Sequence, residues 1–298
     1  MELLIDIDAQ VKRVSPLTKK GFFGNLIGEY RSAFRGRGLE FTTFRNYDVG
    51  DDAIHIDWKA TLRSQGPLVR VFEEERDLKV YFLFDTSNSM LFSSHDKLKA
   101  EFAAEFMAAL IYGILHAEDA VGLVMFSDTI KTFIPASIGD TQFFNLTQAL
   151  TDTRNYGGTK NYEKLVNFCM GSLPKASILF MVSDFIGLPD DYEHHFEPMN
   201  QKYESVAFMV RDPVDDELPR QGEAYLLDPF SDEELEVEAP VIRDRYAEHV
   251  LAFKQQITDT YRKSRDDLVV LRSDEDYLPV LIRYLVRRKN RLMHGGRS

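Results

Sequence analysis

The chain has 298 residues, 44 % of them hydrophobic, and a formal net charge of −12, enough for one large domain with a real core plus an appendage. The acidic balance argues against nucleic-acid binding as the main activity, because no basic stripe stands against it. Met1-Glu2-Leu3-Leu4-Ile5-Asp6 lacks the marks of a signal peptide, and no window approaches the roughly 20 apolar residues of a membrane helix. The single Cys169 excludes an intramolecular disulfide and suits a reducing compartment, so a cytoplasmic location is expected.

Residues 1–78 do not follow an α/β rhythm. They carry Arg45, Tyr47, Gly50, Asp51, Asp52, Asp57, Trp58 and Arg63, which read as a salt-bridged structural collar. Gly50 permits a turn of positive φ, Asp51 and Asp52 can accept backbone and arginine hydrogen bonds, and Trp58 is expected to anchor the collar to the main domain.

From Lys79 the pattern changes. Val80-Tyr81-Phe82-Leu83-Phe84 reads as a buried strand and runs straight into Asp85-Thr86-Ser87-Asn88-Ser89, a loop of hard oxygen ligands of the kind that suits Mg²⁺ or Mn²⁺. Leu98, Phe102, Phe106, Leu110 and Ile114 then recur at the spacing of an amphipathic helix. A strand over 119–126, a short antiparallel partner over 129–134 and helices near 140–151 and 160–171 follow. Gly157-Gly158-Thr159 opens the second of those helices. Ile178-Leu179-Phe180-Met181-Val182-Ser183-Asp184 is a second buried strand ending on a carboxylate, followed by a helix broken at Pro189 and Pro198 and a strand over 205–210.

Residues 211–240 break the alternation and read as a small β insertion, expected to pack with the collar. A long helix over 241–265, a strand over 268–271 and a helix over 278–289 complete the core, and the basic cluster Arg287, Arg288, Lys289 and Arg291 suits the end of that helix. The predicted fold is α/β: a doubly wound, mostly parallel sheet with a smaller β-containing appendage. Its divisions are 1–78, a core of 79–210, the insertion 211–240, and 241–298. Ligands of such sheets gather outside the carboxyl ends of the strands.

Asp85, Ser87, Ser89, Thr159 and Asp184 match in order the metal-ion-dependent adhesion site that the chain resembles, that of von Willebrand factor A-like domains. The resemblance implies that these five hold Mg²⁺ (or Mn²⁺), with a partner's carboxylate completing the shell. The string from Gly38-Leu39-Glu40-Phe41 through Arg45-x-Tyr47-x-x-Gly50-Asp51-Asp52 to Ile56-Asp57-Trp58 is similar to the signature of a bacterial and archaeal family of cytoplasmic von Willebrand A-like proteins catalogued as a domain of unknown function. Arg211-Asp212-Pro213, Glu217-Leu218-Pro219 and Asp276-Tyr277-Leu278-Pro279 extend that likeness over nearly the whole chain. Ile54 and Leu62 depart from it, where Arg and Ala are expected.

This resemblance implies a non-enzymatic, metal-dependent adaptor working with a MoxR-type AAA+ ATPase on the assembly or maturation of protein complexes, with a client protein or the ATPase offering the carboxylate. The alternative is a Mg²⁺-dependent hydrolase. Asp6-Ile7-Asp8 resembles the aspartate pair of haloacid-dehalogenase-like phosphatases, but Gln10 replaces the expected hydroxyl residue. Ser87 or Ser89 as nucleophile would need a base, and His95 reads as a surface residue at a helix start. No phosphate loop, serine elbow or His-Glu-x-x-His motif occurs, and the adjacent His194-His195 do not share a helix face. The closing basic cluster is too small, and lacks a lipidation motif, to argue for membrane association.

Overall fold

A six-stranded sheet forms the centre of the computed structural model, which describes residues 3–18, 40–48, 56–62, 66–73, 79–189, 192–231, 233–264 and 266–295. The leading elements are α1 (Ile7–Thr18), β1 (Glu40–Asn46), α2 (Trp58–Thr61) and β2 (Leu68–Glu73). The core runs through β3 (Lys79–Asp85), α3 (Lys99–His116), β4 (Ala120–Phe126), β5 (Ile130–Ser137), α4 (Asp140–Thr151), α5 (Tyr162–Ser172), β6 (Ser177–Ser183), α6 (Tyr192–Lys202) and β7 (Glu204–Arg211). Next come α7 (Pro213–Asp216) and the hairpin β8 (Glu223–Leu227) with β9 (Glu234–Glu238), then α8 (Ala239–Lys263), β10 (Asp267–Arg272) and α9 (Tyr277–Gly295).

The central order is β10-β7-β6-β3-β4-β5, parallel throughout except for the antiparallel edge strand β5. Strands buried on both faces are apolar at every position, and β3 shows why. Val80, Phe82 and Phe84 join one core with α3, α4 and α9, while Tyr81 and Leu83 join a second with α5, α6 and α8. Edge-to-face contacts tie Phe82 to Phe180, Phe180 to Phe208, and Phe208 to Phe106 across the sheet and α3. The chain leaves β3 toward β4 on one side and returns to β6 on the other. A crevice therefore opens at the carboxyl ends of β3 and β6.

The predicted stripe on α3 proves narrower than the burial: almost every face of the helix is covered, because α1 packs along its outer side. Two buried glutamates of α3 make that contact specific. Glu101 accepts from the Leu4 N–H, and Glu105 accepts from the Asp6 N–H, the Gln10 amide and the Lys97 ammonium. Within the segment read as a collar, Ile7–Thr18 thus form a helix docked on α3. Asp6 accepts from the Ala9 N–H as a helix-start carboxylate.

In the predicted collar, β1 pairs antiparallel with β2, and Ile56 bridges to Val69. Arg45 lies exposed on β1, and the Tyr47 N–H donates to the Pro67 carbonyl. Asp57 starts α2 by accepting from the N–H groups of Lys59 and Ala60. Trp58 is not the expected anchor: on the first position of this one-turn helix it faces outward and is 66 % exposed. Gly50, Asp51, Asp52, Ile54 and Arg63 lie outside the described residues.

The insertion is the predicted β element, a two-stranded ribbon. The contacts described for its tip run to the crevice, where the Asn88 amide donates to the Pro229 carbonyl. Pro189 precedes α6 and Pro198 lies within it, so the expected break is a single helix starting after the first proline. No helix among the described residues is long and apolar enough to cross a membrane.

Candidate functional site

Asp85 ends β3 and is fully buried. One carboxylate oxygen, Oδ1, accepts the Ser87 N–H at 3.0 Å, which turns the chain. The other, Oδ2, accepts the Ser183 hydroxyl at 2.6 Å. Ser87 and Ser89 bring their hydroxyls within 3.3 Å of each other, both buried. On the neighbouring strand Asp184 follows β6 and is likewise buried. Its Oδ1 accepts the Ile186 N–H. Phe185 between them holds φ +59°, an uncommon conformation for a bulky residue, supported by its N–H bond to the Ser183 hydroxyl and its buried ring against Tyr261.

The glycine loop is laced to the Asp85 loop. The Gly157 N–H donates to the Thr86 carbonyl, the Asn88 N–H to the Gly158 carbonyl, and the Gly158 N–H to the Asn88 side chain. Gly157 and Gly158 hold φ of +97° and +100°, values that disfavour any side chain. Asn161 then caps α5 by accepting from the Lys164 N–H. The helix consequently begins two residues later than predicted.

Four of the five predicted ligands, Asp85, Ser87, Ser89 and Asp184, come together. Thr159 does not join them: it is exposed, and its hydroxyl has no described hydrogen bond to the cluster. At the centre stands a residue that sequence reasoning passed over. The Lys160 ammonium lies 2.7 Å from Asp85 Oδ2, 2.7 Å from Asp184 Oδ1, 3.1 Å from the Ser89 hydroxyl and 2.9 Å from the Ile186 carbonyl. Its side chain is 1 % exposed, between the rings of Tyr162 and Phe230. Burial works against its charge, but Asp184 and Asp85 outweigh burial and hold its pKa above the ordinary lysine value.

A second buried lysine extends the cluster. Lys99, the first residue of α3 and also 1 % exposed, places its ammonium 2.9 Å from Asp184 Oδ2 and 2.8 Å from Asp215 Oδ2. Burial alone would raise the Asp184 pKa, yet Lys160 and Lys99 together draw it well below the usual carboxylate range. Asp215 Oδ2 also accepts the Asp212 N–H, and Asp212 accepts the Ser94 N–H and pairs with His95 at 3.2 Å. Arg211, at the end of β7, pairs with Asp216 and donates to the Asp215 carbonyl. Charges therefore alternate from Asp85 through Lys160, Asp184 and Lys99 to Asp215.

His95 is half-buried rather than the expected surface residue. Its Nδ1 meets both Ser93 and Asp212, while its buried Nε2, the nitrogen that faces the serine in a hydrolytic triad, has no hydrogen-bond partner among the described residues. Arg211-Asp212-Pro213 was legible as a motif but not as part of this site. Its signal was position: like Asp85 and Asp184, it follows directly on a central strand.

The donor set can be tested against the implied Mg²⁺. Octahedral Mg²⁺ needs oxygens at about 2.0–2.1 Å. Here Asp85 Oδ2, Asp184 Oδ1 and the Ser89 hydroxyl, three of the five expected ligands, surround a nitrogen at 2.7–3.1 Å. Ion and ammonium would claim one space and the same lone pairs. The five residues do not fit a divalent ion while Lys160 remains where it is. Among the described residues no group of three or more His, Cys, Asp or Glu side chains is arranged to hold a metal.

A doubly wound sheet with this strand order and a serine-rich loop at its switch point defines a von Willebrand factor A-like, Rossmann-type α/β domain. More particularly, the chain belongs to the family described as "Protein of unknown function DUF58", whose model matches residues 43–256. The uncharacterized proteins Mb1516 of Mycobacterium bovis and Rv1480 of Mycobacterium tuberculosis are each 25 % identical over 291 residues, covering 96 % of this chain and 91 % of theirs. A crystal structure of the conserved hypothetical protein BatB from Bacteroides thetaiotaomicron is similar over 72 % of this chain and 99 % of that one, with 12 % identity and a TM-score of 0.46.

Proposed function

We propose that the protein is a non-enzymatic binding adaptor that uses the carboxyl end of its sheet and the overlying β8–β9 ribbon to engage another protein. The carrying observation is that Ser89, a serine of the loop after β3, faces an ammonium held firmly in its charged form. A protonated lysine cannot take a proton, so Lys160 does not serve Ser89 as a general base, which supports binding over turnover. Asp6, the nucleophile of the hydrolase alternative, starts a helix on α3, and no geometry favours that reading.

Binding has better support. Tyr225, Leu227 and Leu235 are exposed on the ribbon, and both its strands have a free edge among the described residues. Exposed apolar groups on a sheet edge are what a partner covers. The family resemblance points to a MoxR-type AAA+ ATPase as that partner, with a client protein downstream. The metal-dependent form of the adaptor, with Mg²⁺ or Mn²⁺ on Asp85, Ser87, Ser89, Thr159 and Asp184 and a partner's carboxylate completing the shell, requires Lys160 to leave first. The test is capture of the purified ATPase by the wild type and by Tyr225→Asp/Leu227→Asp. Capture by the wild type alone is expected, and equal capture by both, or by neither, overturns the assignment of this surface.

A further inference from the structure

We infer that Lys160 is the resident cation of the cradle formed by Asp85, Ser89 and Asp184: a tethered ammonium stands where the resemblance implies a divalent ion. The inference deepens the adaptor reading by making binding independent of metal.

Coordination is the first argument. An ammonium has three N–H groups, and Lys160 meets four acceptors: two carboxylate oxygens, the Ser89 hydroxyl and the Ile186 carbonyl. No donor remains for a partner's carboxylate. Charge is the second. With Lys160 and Lys99 in place, two positive charges face Asp85, Asp184 and Asp215. A divalent ion added to that set would leave an excess of positive charge away from water, a costly arrangement.

Access is the third. The Asp85 and glycine loops are joined by reciprocal hydrogen bonds, and Asn161 is held by its N–H bond to the Ser127 carbonyl. The backbone carrying Lys160 is thereby fixed on both sides. Above the ammonium, Phe230 lies 5.9 Å from it at its ring centre, and the same ring abuts Gly187. An added Cβ at Gly187 would stand 2.7 Å from Phe230. To release the cradle, Lys160 would have to withdraw past this ring while Asp85 loses its counter-charge and Asp184 keeps only Lys99.

The experiment measures Mn²⁺ binding by electron paramagnetic resonance at millimolar metal. The wild type should bind no stoichiometric Mn²⁺. Lys160→Ala should bind one ion, and Lys160→Ala/Asp85→Asn should lose it. Stoichiometric binding by the wild type that Asp85→Asn abolishes would overturn the inference, and so would no binding by a folded Lys160→Ala. Should Lys160→Ala fail to fold, the wild type still decides through ¹⁵N-lysine spectra: a buried, slowly exchanging ammonium signal is expected to persist in 10 mM Mg²⁺, and its loss overturns the inference. Capture of the ATPase with and without chelator separates this question from the adaptor reading, since the adaptor could survive a metal-bound cradle.

Discussion

Replacing Lys99 with methionine removes a buried ammonium while keeping an unbranched side chain of similar bulk. Two carboxylate oxygens, Asp184 Oδ2 and Asp215 Oδ2, lose the cation that separates them. Breaking a buried pair by deleting one partner costs about 3–5 kcal/mol. Both carboxylates keep other donors, Lys160 and the Ile186 N–H for Asp184 and the Asp212 N–H for Asp215. The lower end, about 3 kcal/mol, is therefore expected, and at roughly 2 °C per kcal/mol for a chain of this size the melting temperature should fall by about 6 °C. Urea denaturation at pH 7 checks the free energy, with calorimetry for the transition. Lys99→Met/Asp215→Asn should recover about 1–2 kcal/mol, because it removes one stranded charge while an amide oxygen can still accept the Asp212 N–H. A loss below about 1 kcal/mol, the scale of a solvent-exposed pair, would refute the view that these charges are mutually dependent.

Asp266 supplies a pH test. Burial pushes its pKa up to about 7, against the bond from the Ser205 N–H, so the folded state holds the proton more tightly than the unfolded one. Its contribution is fully present below the ordinary carboxylate value and is lost as pH rises through 7. Asp266→Asn should gain on the wild type between pH 4 and 8, by at most about 4 kcal/mol at 1.36 kcal/mol per pKa unit; a pH-independent difference in urea titrations contradicts this. Gly158→Ala should lose about 1–3 kcal/mol, since it combines φ +100° with a Cβ 2.8 Å from Asp128 Oδ1. Gly171→Ala, in open space on α5, should be neutral or stabilising in the same melts. Cys169 is buried and its thiol pushed up to about 12 by that burial, so a chromogenic disulfide should label it only in denaturant; rapid labelling of the native protein would contradict the placement.

The sheet was readable because its strands announce themselves twice. Val80–Phe84 and Ile178–Val182 are unbroken apolar runs, the first followed directly by Asp85 and the second by Ser183 and then Asp184. Adjacency of β3 and β6 then brings Asp85 and Asp184 together without any further information. Lys160 and Lys99 were not readable. A lysine's destination lies at the end of four flexible carbons, and local pattern treats it as a solvent group. Only the packed loops decide that these two turn inward. Trp58 failed in the opposite sense: size and apolarity favour burial in general, but a one-turn helix leaves its first position facing out. Helix α1 was missed because it is short and carries Pro16, while it is held by contacts with Glu101 and Glu105 about a hundred residues away.

That opening helix also touches the far end of the chain. Gln10 accepts from the Tyr277 hydroxyl, and Arg13 pairs with Asp276, so the beginning and the closing helix clasp each other across α3. Deleting the first eighteen residues would unroof two glutamates and strip a brace from α9 in one stroke. Variants trimmed there should be judged as damaged proteins, whatever their effect on partner capture.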